Sequence, residues 1–484
     1  MHISSLPSKY GIGTLGREAY AFADFLKSAG QRYWQMLPVG QTGYGDSPYQ
    51  SFSIYAGNPY FIDLDMLVED GLLTHDELSC RDWGGDPRFV DYGAVYASRF
   101  SVLHTAFERG RARYASRLSK FIGGNAWVRD YALFMALKKH FGMAPWQDWP
   151  DEDIRLRRPG AMERYTELLH DDIEFYEFLQ LLFYTQWDEF KSYVAGLGIK
   201  LIGDLPIYVA MDSADAWAQR ENFLLDRDGR PEFVSGVPPD YFSSTGQLWG
   251  NPLYDWGYMQ NTGYDWWLKR IEAASRIFDV IRIDHFRGLE SYWRVPYGSV
   301  NAVNGEWVKG PGMDFVNAVK GRFPGISIIA EDLGFLTDDV RALLKASGFP
   351  GMKVLQFAFD SREPSDYLPH TYSPNCVCYT GTHDNTTAAG WFSEAAPEDV
   401  DHAIEYLGLN DWEGYEWGMI RGGMGSTAEL FVAQMQDYLG HGSKCRMNIP
   451  GTVGGNWCWR LLEGECGAAL AQKIAKKTYM YGRL

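Results

Sequence analysis

Apolar and polar residues follow two different periods along the chain, and their alternation predicts an α/β fold. Short apolar runs typical of buried strands are separated by stretches in which apolar residues recur every third or fourth position, as on one face of a helix. The candidate strands cover residues near 1–5, 33–38, 200–205, 278–284, 326–331, 352–357, 377–382 and 444–448. The candidate helices lie at about 16–28, 171–197, 264–276, 313–322, 337–347, 397–406, 425–439 and 466–477.

This order of strands and helices predicts a closed (β/α)8 TIM barrel, whose active site is built at the C-terminal ends of the strands. We expect a single catalytic barrel domain over residues 1–484 with three insertions. They are a loop-rich subdomain at 40–92, an all-helical subdomain at 93–170 and a region covering the active site at 210–262. Neither an internal repeat nor a low-complexity linker divides the chain.

Composition narrows the classes of partner. The net charge of −17 argues against nucleic acid and against anionic membranes, since both repel an acidic surface. An aromatic content of 15% fills much of a core, and it also suits stacking on the apolar faces of sugar rings. The chain has no apolar run long enough to span a membrane, and its first residues lack the pattern of a secretory signal. We therefore expect a cytoplasmic protein.

The six cysteines are too few and too scattered over 484 residues for a disulfide framework. Cys376 and Cys378 form a weak metal signal, which alternating residues of a buried strand explain better. No cluster of potential ligands appears at metal spacing, so we expect neither a metal nor an organic cofactor.

The stretch Phe278–Gly288 carries the clearest sign of chemistry. Side chains alternate along a strand, so Arg282 and Asp284 share one face while Ile281 and Ile283 share the other. If the isoleucines pack on outer helices, the charged pair points into the mouth of the barrel. The arginine would then hold Asp284 ionised, as a nucleophilic carboxylate requires. The alternative is a simple salt bridge at the end of a strand.

Three acids end three of the candidate strands or follow them directly: Asp284, Glu331 and Asp384. On a barrel they converge on one rim, where crowded like charges raise at least one pKa. One acid then keeps its proton beside a carboxylate that cannot, which is the division of labour in a glycosidase. The alternative, helix capping or exposed loop charge, explains Asp332 and Asp338 better. Asp204 ends another strand, either as a structural group or as a supporting group of the same rim.

Residues 235–256 combine repeated glycine and proline, which exclude a helix, with five aromatic residues. The segment lies between two candidate strands, so we expect it to overhang the rim. A ring such as Trp249 could stack on a sugar while Asp240 and Gln247 bind hydroxyl groups. Alternatively, the aromatic residues fold back onto the barrel.

Several motifs together resemble one known family. They are His2–Gly13, Ser47–Ser51, Gly57–Tyr60, Gly203–Ala210, Gly236–Tyr254, Arg282–Gly288, Ala330–Gly334, Gly381–Thr386 and Arg446–Thr452. Over nearly its whole length the chain is similar to the amylomaltases or 4-α-glucanotransferases, also called disproportionating enzymes, of the α-amylase clan. Gly236–Tyr254 is the most specific motif, because general α-amylases lack it.

The resemblance implies roles for the residues that match. Asp284 would be the nucleophile, Glu331 the acid/base, and Asp384 a third carboxylate that binds hydroxyls of the distorted sugar. The resemblance also implies contacts with α-1,4-glucans or malto-oligosaccharides for Tyr60, Asp240, Gln247, Trp249, Arg282, His383 and Asn448. Among these, Tyr60 would stack on the sugar in the donor subsite.

The chain departs from the family at its start. Members usually have several residues before His-Ile-Ser-Ser-Leu-Pro, and these form most of the first strand, whereas Met1 falls inside that strand here. A shortened strand would leave backbone groups of its neighbours unpaired, which bears on folding and stability more than on chemistry.

The resemblance implies a retaining double displacement that transfers a glucan segment to another glucan, as in starch and glycogen metabolism. The two carboxyl groups should then lie roughly 5–5.5 Å apart. Two alternatives stay open from the residues: an α-1,4-glucan hydrolase of the α-amylase type, and a glucan-binding barrel without catalytic activity.

Overall fold

Parallel strands at the centre of the molecule place the chemistry-bearing residues. The computed structural model describes residues 1–43, 45–239, 243–334 and 336–484. In chain order the strands in these ranges are β1 (Tyr33–Met36), β2 (Lys200–Leu205), β3 (Phe233–Val237), β4 (Gln247–Pro252), β5 (Val280–Ile283), β6 (Ser291–Pro296), β7 (Glu306–Lys309), β8 (Ser327–Ala330), β9 (Gly351–Val354), β10 (Cys376–Tyr379) and β11 (Leu430–Val432).

The parallel strands form two sheets, ordered β1-β2-β5-β8 and β9-β10-β11. The two sheets meet where the amide of Ala330, the last residue of β8, donates to the carbonyl of Pro350, just before β9, at 2.9 Å. The C-terminal ends of β2, β5, β8 and β10 therefore face one side of the molecule. This is the arrangement that brings residues from distant stretches of chain to one rim.

Helices surround these strands and fill the insertions. Within the described ranges the α-helices are Arg17–Ser28, Leu64–Glu69, His75–Ser79, Tyr92–Gly124, Trp127–His140, Glu152–Arg155, Pro159–Leu168, His170–Gly196, Ala214–Ala218, Trp256–Asn261, Asp265–Ile277, Gly312–Arg322, Asp338–Ser347, Ala388–Glu394, Pro397–Leu407, Tyr415–Met424, Met435–Tyr438 and Ala468–Met480. Across the ranges that the structure describes, no helix has the length and apolar character needed to cross a membrane.

The two faces of β5 are buried in different environments, as alternation predicts. Ile281 and Ile283 pack in a cluster with residues of the outer helices Asp265–Ile277 and Gly312–Arg322. Val280, on the other face, packs with residues of β2, β8, β9 and β10 inside the barrel. Arg282 shares the inward face with Val280, so its guanidinium lies in the barrel interior.

Two predicted strands and one predicted helix are wrong. Residues 1–5 contain a 3-10 turn, Ile3–Ser5, and residues 444–448 begin with another, Ser443–Cys445. The predicted helix at 425–439 instead contains β11 and the short helix Met435–Tyr438. The three residues of β11 are too few to establish a strand period in the sequence. They form a strand because they pair with β10.

The covering region contains an antiparallel sheet that the sequence did not reveal. Strands β4, β3, β6 and β7 pair in that order, so the hairpin β6–β7 that follows β5 extends the sheet begun by the loop. Residues 235–256 are predicted to contain no helix, and in the described part of this segment the structure agrees up to residue 255. The prediction is wrong at its last residue, because the helix Trp256–Asn261 begins there.

The helix His170–Gly196 anchors the segment that follows the motif Ser47–Ser51. The side chain of Gln180 accepts a hydrogen bond from Gly57 N through Oε1 at 2.8 Å and donates one to Gly57 O through Nε2 at 3.0 Å. Gln186 makes the equivalent pair of bonds to Asp63, at 2.7 and 3.2 Å. Two glutamines thus satisfy buried backbone groups that a loop leaves unpaired, and they fix the loop relative to the barrel.

Gly57→Ala should strongly destabilise the protein, because a Cβ at Gly57 would lie 2.0 Å from the ring of Phe183, which is fully buried. We expect the free energy of unfolding to fall by about 3 kcal/mol or more, measured by chemical denaturation. Gly160→Ala is the matched control, since a Cβ there meets nothing within 4 Å. Similar effects of the two substitutions would contradict this packing.

Candidate active site

A buried arginine joins the ends of β2 and β5. Asp204 and Arg282 are register partners on these strands, and Arg282 Nη1 lies 2.7 Å from both carboxylate oxygens of Asp204. The same nitrogen lies 3.0 Å from Asp284 Oδ1. Arg282 is 3% exposed and Asp204 4% exposed, so this ion pair is shielded from water. Of the two options left open for Asp204, these contacts favour a supporting group of the rim.

Glu331 lies beside Asp284 but has a different environment. Its Oε2 accepts from the amide of His285, the residue directly after Asp284, at 2.6 Å, and its Oε1 accepts from Leu333 N at 2.8 Å. His285 adopts a left-handed conformation with φ of 49°, which non-glycine residues rarely adopt. The structure thus brings the two predicted catalytic carboxylates together through one turn of backbone.

The pKa values of these acids are displaced in the same direction. Burial raises the pKa of Asp284 to about 6, and the guanidinium of Arg282 opposes part of that rise. Burial and the charge of Asp284 raise the pKa of Glu331 to about 7. Burial thus gives Asp284 a higher pKa than contact with the arginine alone would give it. The carboxyl group that contacts the arginine ionises first, and Glu331 keeps its proton longer.

Asp384 follows β10 and lies with His383 and Asn448. Asn448 Nδ2 donates to Asp384 Oδ1 at 2.6 Å, and His383 Nε2 lies 3.4 Å from Asp384 Oδ2. Burial alone would raise the pKa of Asp384, but His383 and these hydrogen bonds lower it to about 2. His383 shows the reciprocal effect: burial alone would lower its pKa, and the Asp384 carboxylate raises it. Asp384 is therefore an anion at any ordinary pH.

The covering sheet places Trp249 over the turn that follows Asp284. The rings of Trp249 and His285 meet edge to face with centroids 4.8 Å apart. Trp249 Nε1 donates to Gln247 Oε1 at 3.2 Å, so the two predicted contacts from this region are neighbours. Asp240, the third predicted contact from this region, lies outside the described residues.

Tyr60 does not lie with the other predicted substrate contacts. It is 6% exposed, and its ring packs against Tyr92 and Phe100 in the hydrophobic core. Tyr49 instead supplies a ring at the site, and it lies over His383 with centroids 5.1 Å apart. Both tyrosines belong to motifs quoted from the sequence, and neither periodicity nor spacing distinguishes which of them reaches the rim.

Sequence reasoning also missed His285, whose amide binds Glu331. No pattern in the sequence predicts a left-handed residue after a nucleophile, because histidine adopts this conformation only occasionally.

The two acids set aside from the site, Asp332 and Asp338, lie in different environments. Asp332 is buried and accepts from Met352 N at 2.6 Å, whereas Asp338 is exposed in the first turn of the helix Asp338–Ser347.

Among the residues that the structure describes, one group of side chains could geometrically hold a metal ion, a cluster the sequence did not reveal. His170, Asp171 and Glu174 place potential ligand atoms within 4.8 Å of one another at the start of a helix. Arg111 lies 2.8 Å from Asp171 and 2.7 Å from Glu174, so a guanidinium already forms ion pairs with both carboxylates. This group is therefore an ion-pair cluster, separate from the carboxylates on the rim.

Two carboxyl groups in different environments, at the rim of parallel strands, define an enzyme of the glycosidase type. The sequence model of the 4-alpha-glucanotransferase family matches residues 1–464. A 4-alpha-glucanotransferase of Clostridium butyricum is 49% identical over 486 residues, covering 100% of both chains. Another from Thermus thermophilus is 47% identical over 96% of this chain and 94% of its own. The chain belongs to the 4-alpha-glucanotransferase family, and it is an enzyme of this type.

A solved structure agrees with this assignment. Amylomaltase from Streptococcus agalactiae in complex with acarbose superposes with a TM-score of 0.98 and 41% identity, over 100% of this chain and 98% of that chain. Amylomaltase from Corynebacterium glutamicum, at 20% identity, shares the fold with a TM-score of 0.74. The predictions of family and of a (β/α)8 barrel are thereby confirmed.

The displaced pKa values predict a narrow pH optimum. If Asp284 is the nucleophile and Glu331 the proton donor, as the resemblance implies, Asp284 gains a proton and loses nucleophilicity below about pH 6, and Glu331 loses the proton it must donate above about pH 7. We therefore expect kcat/KM to rise through the first value and to fall through the second. Initial rates in buffers of constant ionic strength measure this. An acid limb near pH 4, or no alkaline limb up to pH 9, would contradict the proposed environments.

Proposed function

We propose that this enzyme moves segments of α-1,4-glucan from a donor to the 4-hydroxyl of an acceptor glucan or glucose by a retaining double displacement. One observation carries the proposal. The carboxyl group of Glu331 is bound to the backbone amide next to Asp284, while Asp284 contacts the guanidinium of Arg282 directly. Two acids on one turn, one in contact with arginine and one bound by backbone amides, fit a nucleophile beside a proton donor.

In the first displacement, Asp284 attacks the anomeric carbon and Glu331 protonates the glycosidic oxygen that leaves. The bond to the leaving glucan breaks, and a glycosyl ester forms on Asp284. The attacking oxygen needs no intervening water, so the carboxyl groups should be about 5–5.5 Å apart. Asp384 binds hydroxyls of the distorted sugar, and Arg282 keeps Asp284 oriented and ionised.

In the second displacement, Glu331 acts as a base. It removes the proton from the 4-hydroxyl of an acceptor glucan, whose oxygen attacks the anomeric carbon and releases Asp284. Two inversions restore the original α-configuration. Transfer exceeds hydrolysis if the acceptor is held and water is excluded, and the sheet that carries Trp249 and Gln247 is placed to do both.

The substrate class follows from the relatives. Those of Clostridium and Thermus are named 4-alpha-glucanotransferases, and the Streptococcus amylomaltase was solved with acarbose. We infer that malto-oligosaccharides bind here in the same manner, with contacts from Gln247, Trp249, His383 and Asn448. Asp240 is retained as a fifth contact on the basis of the resemblance alone.

We infer a cytoplasmic location. All six cysteines are free, and Cys376 and Cys378 are buried in β10. Unpaired thiols in this number are typical of proteins in a reducing compartment. Fractionation of the producing cells with detection by antibody tests the location.

Asp284→Asn should reduce transfer by about 10³-fold or more while glucan binding persists, because the amide cannot form the ester but keeps a similar shape. The assay is incubation with maltotriose, in which transfer yields glucose and a ladder of longer oligomers. Binding of a non-reacting oligosaccharide is measured by calorimetry. Asp338→Asn, an exposed acid outside the site, is the control and should keep full activity. A glucan-binding barrel without catalysis predicts instead that neither variant changes any measurable property.

Trp249→Ala should shift the balance from transfer to hydrolysis, because the acceptor loses an aromatic surface while Asp284 and Glu331 are unchanged. We expect the KM for the acceptor to rise about tenfold and the share of hydrolysis to increase. New reducing ends, counted against ladder products, measure that share. Trp412→Ala, at a tryptophan that is 86% exposed, is the matched control. A wild-type enzyme that makes only shorter sugars would be a hydrolase.

A further inference from the structure

A continuous series of polar contacts runs from Asp204 to Asp384 through two rings. Tyr49 Oη donates to Asp204 Oδ2 at 2.8 Å and lies 3.4 Å from His383 Nδ1. On the far side of the same imidazole, His383 Nε2 lies 3.4 Å from Asp384 Oδ2. The four side chains come from the motif Ser47–Ser51, from β2 and from the loop after β10. Their order in space fixes where protons reside.

The hydroxyl of Tyr49 has one hydrogen and therefore one bond to donate. Asp204 is an ionised acceptor, since Arg282 Nη1 is 2.7 Å from both of its oxygens. The shorter contact of Tyr49, at 2.8 Å, takes the hydrogen to Asp204. Burial and the surrounding carboxylates raise the pKa of Tyr49 well above its usual range, so the hydroxyl stays protonated. Towards His383, the oxygen of Tyr49 can only accept.

His383 must therefore carry a proton on Nδ1 to bond with Tyr49. Its other nitrogen faces a second acceptor, because Asp384 is an anion whose Oδ1 already accepts from Asn448 at 2.6 Å. An imidazole between two acceptors satisfies both only when both nitrogens are protonated. We propose that Tyr49 is a positioning residue that, through its bond to Asp204, holds His383 as a doubly protonated imidazolium facing the donor sugar.

The other groups around His383 agree with this assignment. Asp384 and Asp204 favour the charged ring, and Arg282 opposes it. His2, whose pKa the charge of His383 helps to lower, is neutral, because burial lowers its pKa to about 3. The rings of Tyr49 and Trp457 lie 5.1 and 5.6 Å from the imidazole, with interplanar angles of 25° and 39°. Aromatic faces at such distances stabilise a cation.

The consequence deepens the proposed function and rests on it. With Glu331 protonated, the site contains the anions Asp204, Asp284 and Asp384 against the cations Arg282 and His383. One net negative charge remains, which suits the positive charge that develops on the sugar ring in the transition state. Both N–H groups of His383 are bonded to protein acceptors, so what the ring contributes to the site is its positive charge, and this charge does not change with pH near neutrality.

The first experiment measures His383 directly and requires no activity. In wild-type protein labelled with ¹³C and ¹⁵N at histidine, with His383 assigned by comparison with His383→Gln, both ring nitrogens should give imidazolium shifts at pH 7. The ring should remain protonated above its ordinary pKa of about 6.5. A neutral His383 with a single ring proton at pH 7 would overturn the proposal, whatever the enzyme does to glucans.

The second experiment removes the hydroxyl and retains the ring. Tyr49→Phe should lower the pKa of His383 by about one pH unit, because Nδ1 loses its acceptor. Tyr379→Phe is the matched control: it removes a buried hydroxyl that donates to Gln35 Oε1 at 3.0 Å, inside the barrel. An unchanged titration of His383 in Tyr49→Phe, or an equal shift in both variants, would refute the role of Tyr49. If Tyr49→Phe fails to fold, the wild-type spectrum alone decides the charge of His383.

A kinetic measurement separates positioning from structural damage. In Tyr49→Phe, KM for maltotriose should rise as the pH increases through the lowered pKa of His383, while wild-type KM stays flat over that range. A uniform fall in kcat at every pH would indicate a structural role and contradict the proposal. If wild-type protein shows the imidazolium but no transfer from maltotriose, the proposed function fails while the protonation of His383 stands.

Discussion

The sharing of one buried guanidinium between Asp204 and Asp284 is the interaction on which the site depends. Arg282 lies in the barrel interior, where water does not compensate charge. Without the arginine, each neighbouring carboxylate would be a buried, unpaired charge, which costs free energy of folding. Loss of the arginine would leave Asp204 as an uncompensated buried anion and would remove the cation that contacts Asp284. The arginine thus has a structural and a chemical function at once, because the strand register that aligns β2 with β5 also aligns these charges.

The environments of Asp284 and Glu331 give two similar acids different pKa values, as the proposed roles require. Burial raises both pKa values, but Asp284 contacts the guanidinium of Arg282 directly. Glu331 receives two backbone amides instead, and these orient its carboxyl group with partial charges only. The left-handed turn at His285 provides one of those amides. The strain at this residue is therefore tied to the placement of the proton donor, as strained residues at functional sites often are.

The alternation of side chains along β5 was enough to predict which face of the strand carries the charged residues, because successive side chains point to opposite faces even when both faces are buried. The order of strands and helices, rather than this alternation, led to the prediction that three acids at the ends of strands share one rim. Strand β11 could not be predicted, since three residues carry no period and their partner lies far away in the chain. Tyr49 and Tyr60 could not be distinguished either. Which tyrosine reaches the rim depends on tertiary contacts, namely those by which the glutamines of the helix His170–Gly196 hold the backbone at Gly57 and Asp63.

That loop shows how an insertion contributes to the chemistry of the barrel. A long helix outside the barrel fixes the backbone at Gly57 and Asp63 through two glutamines, and the same loop carries Tyr49 to Asp204 and His383. A mobile loop could supply the same ring, but it would give the hydroxyl no fixed direction, and the proton arrangement around His383 depends on direction. These contacts therefore hold a surface loop in a fixed position at the site, and through it they fix the direction of the Tyr49 hydroxyl.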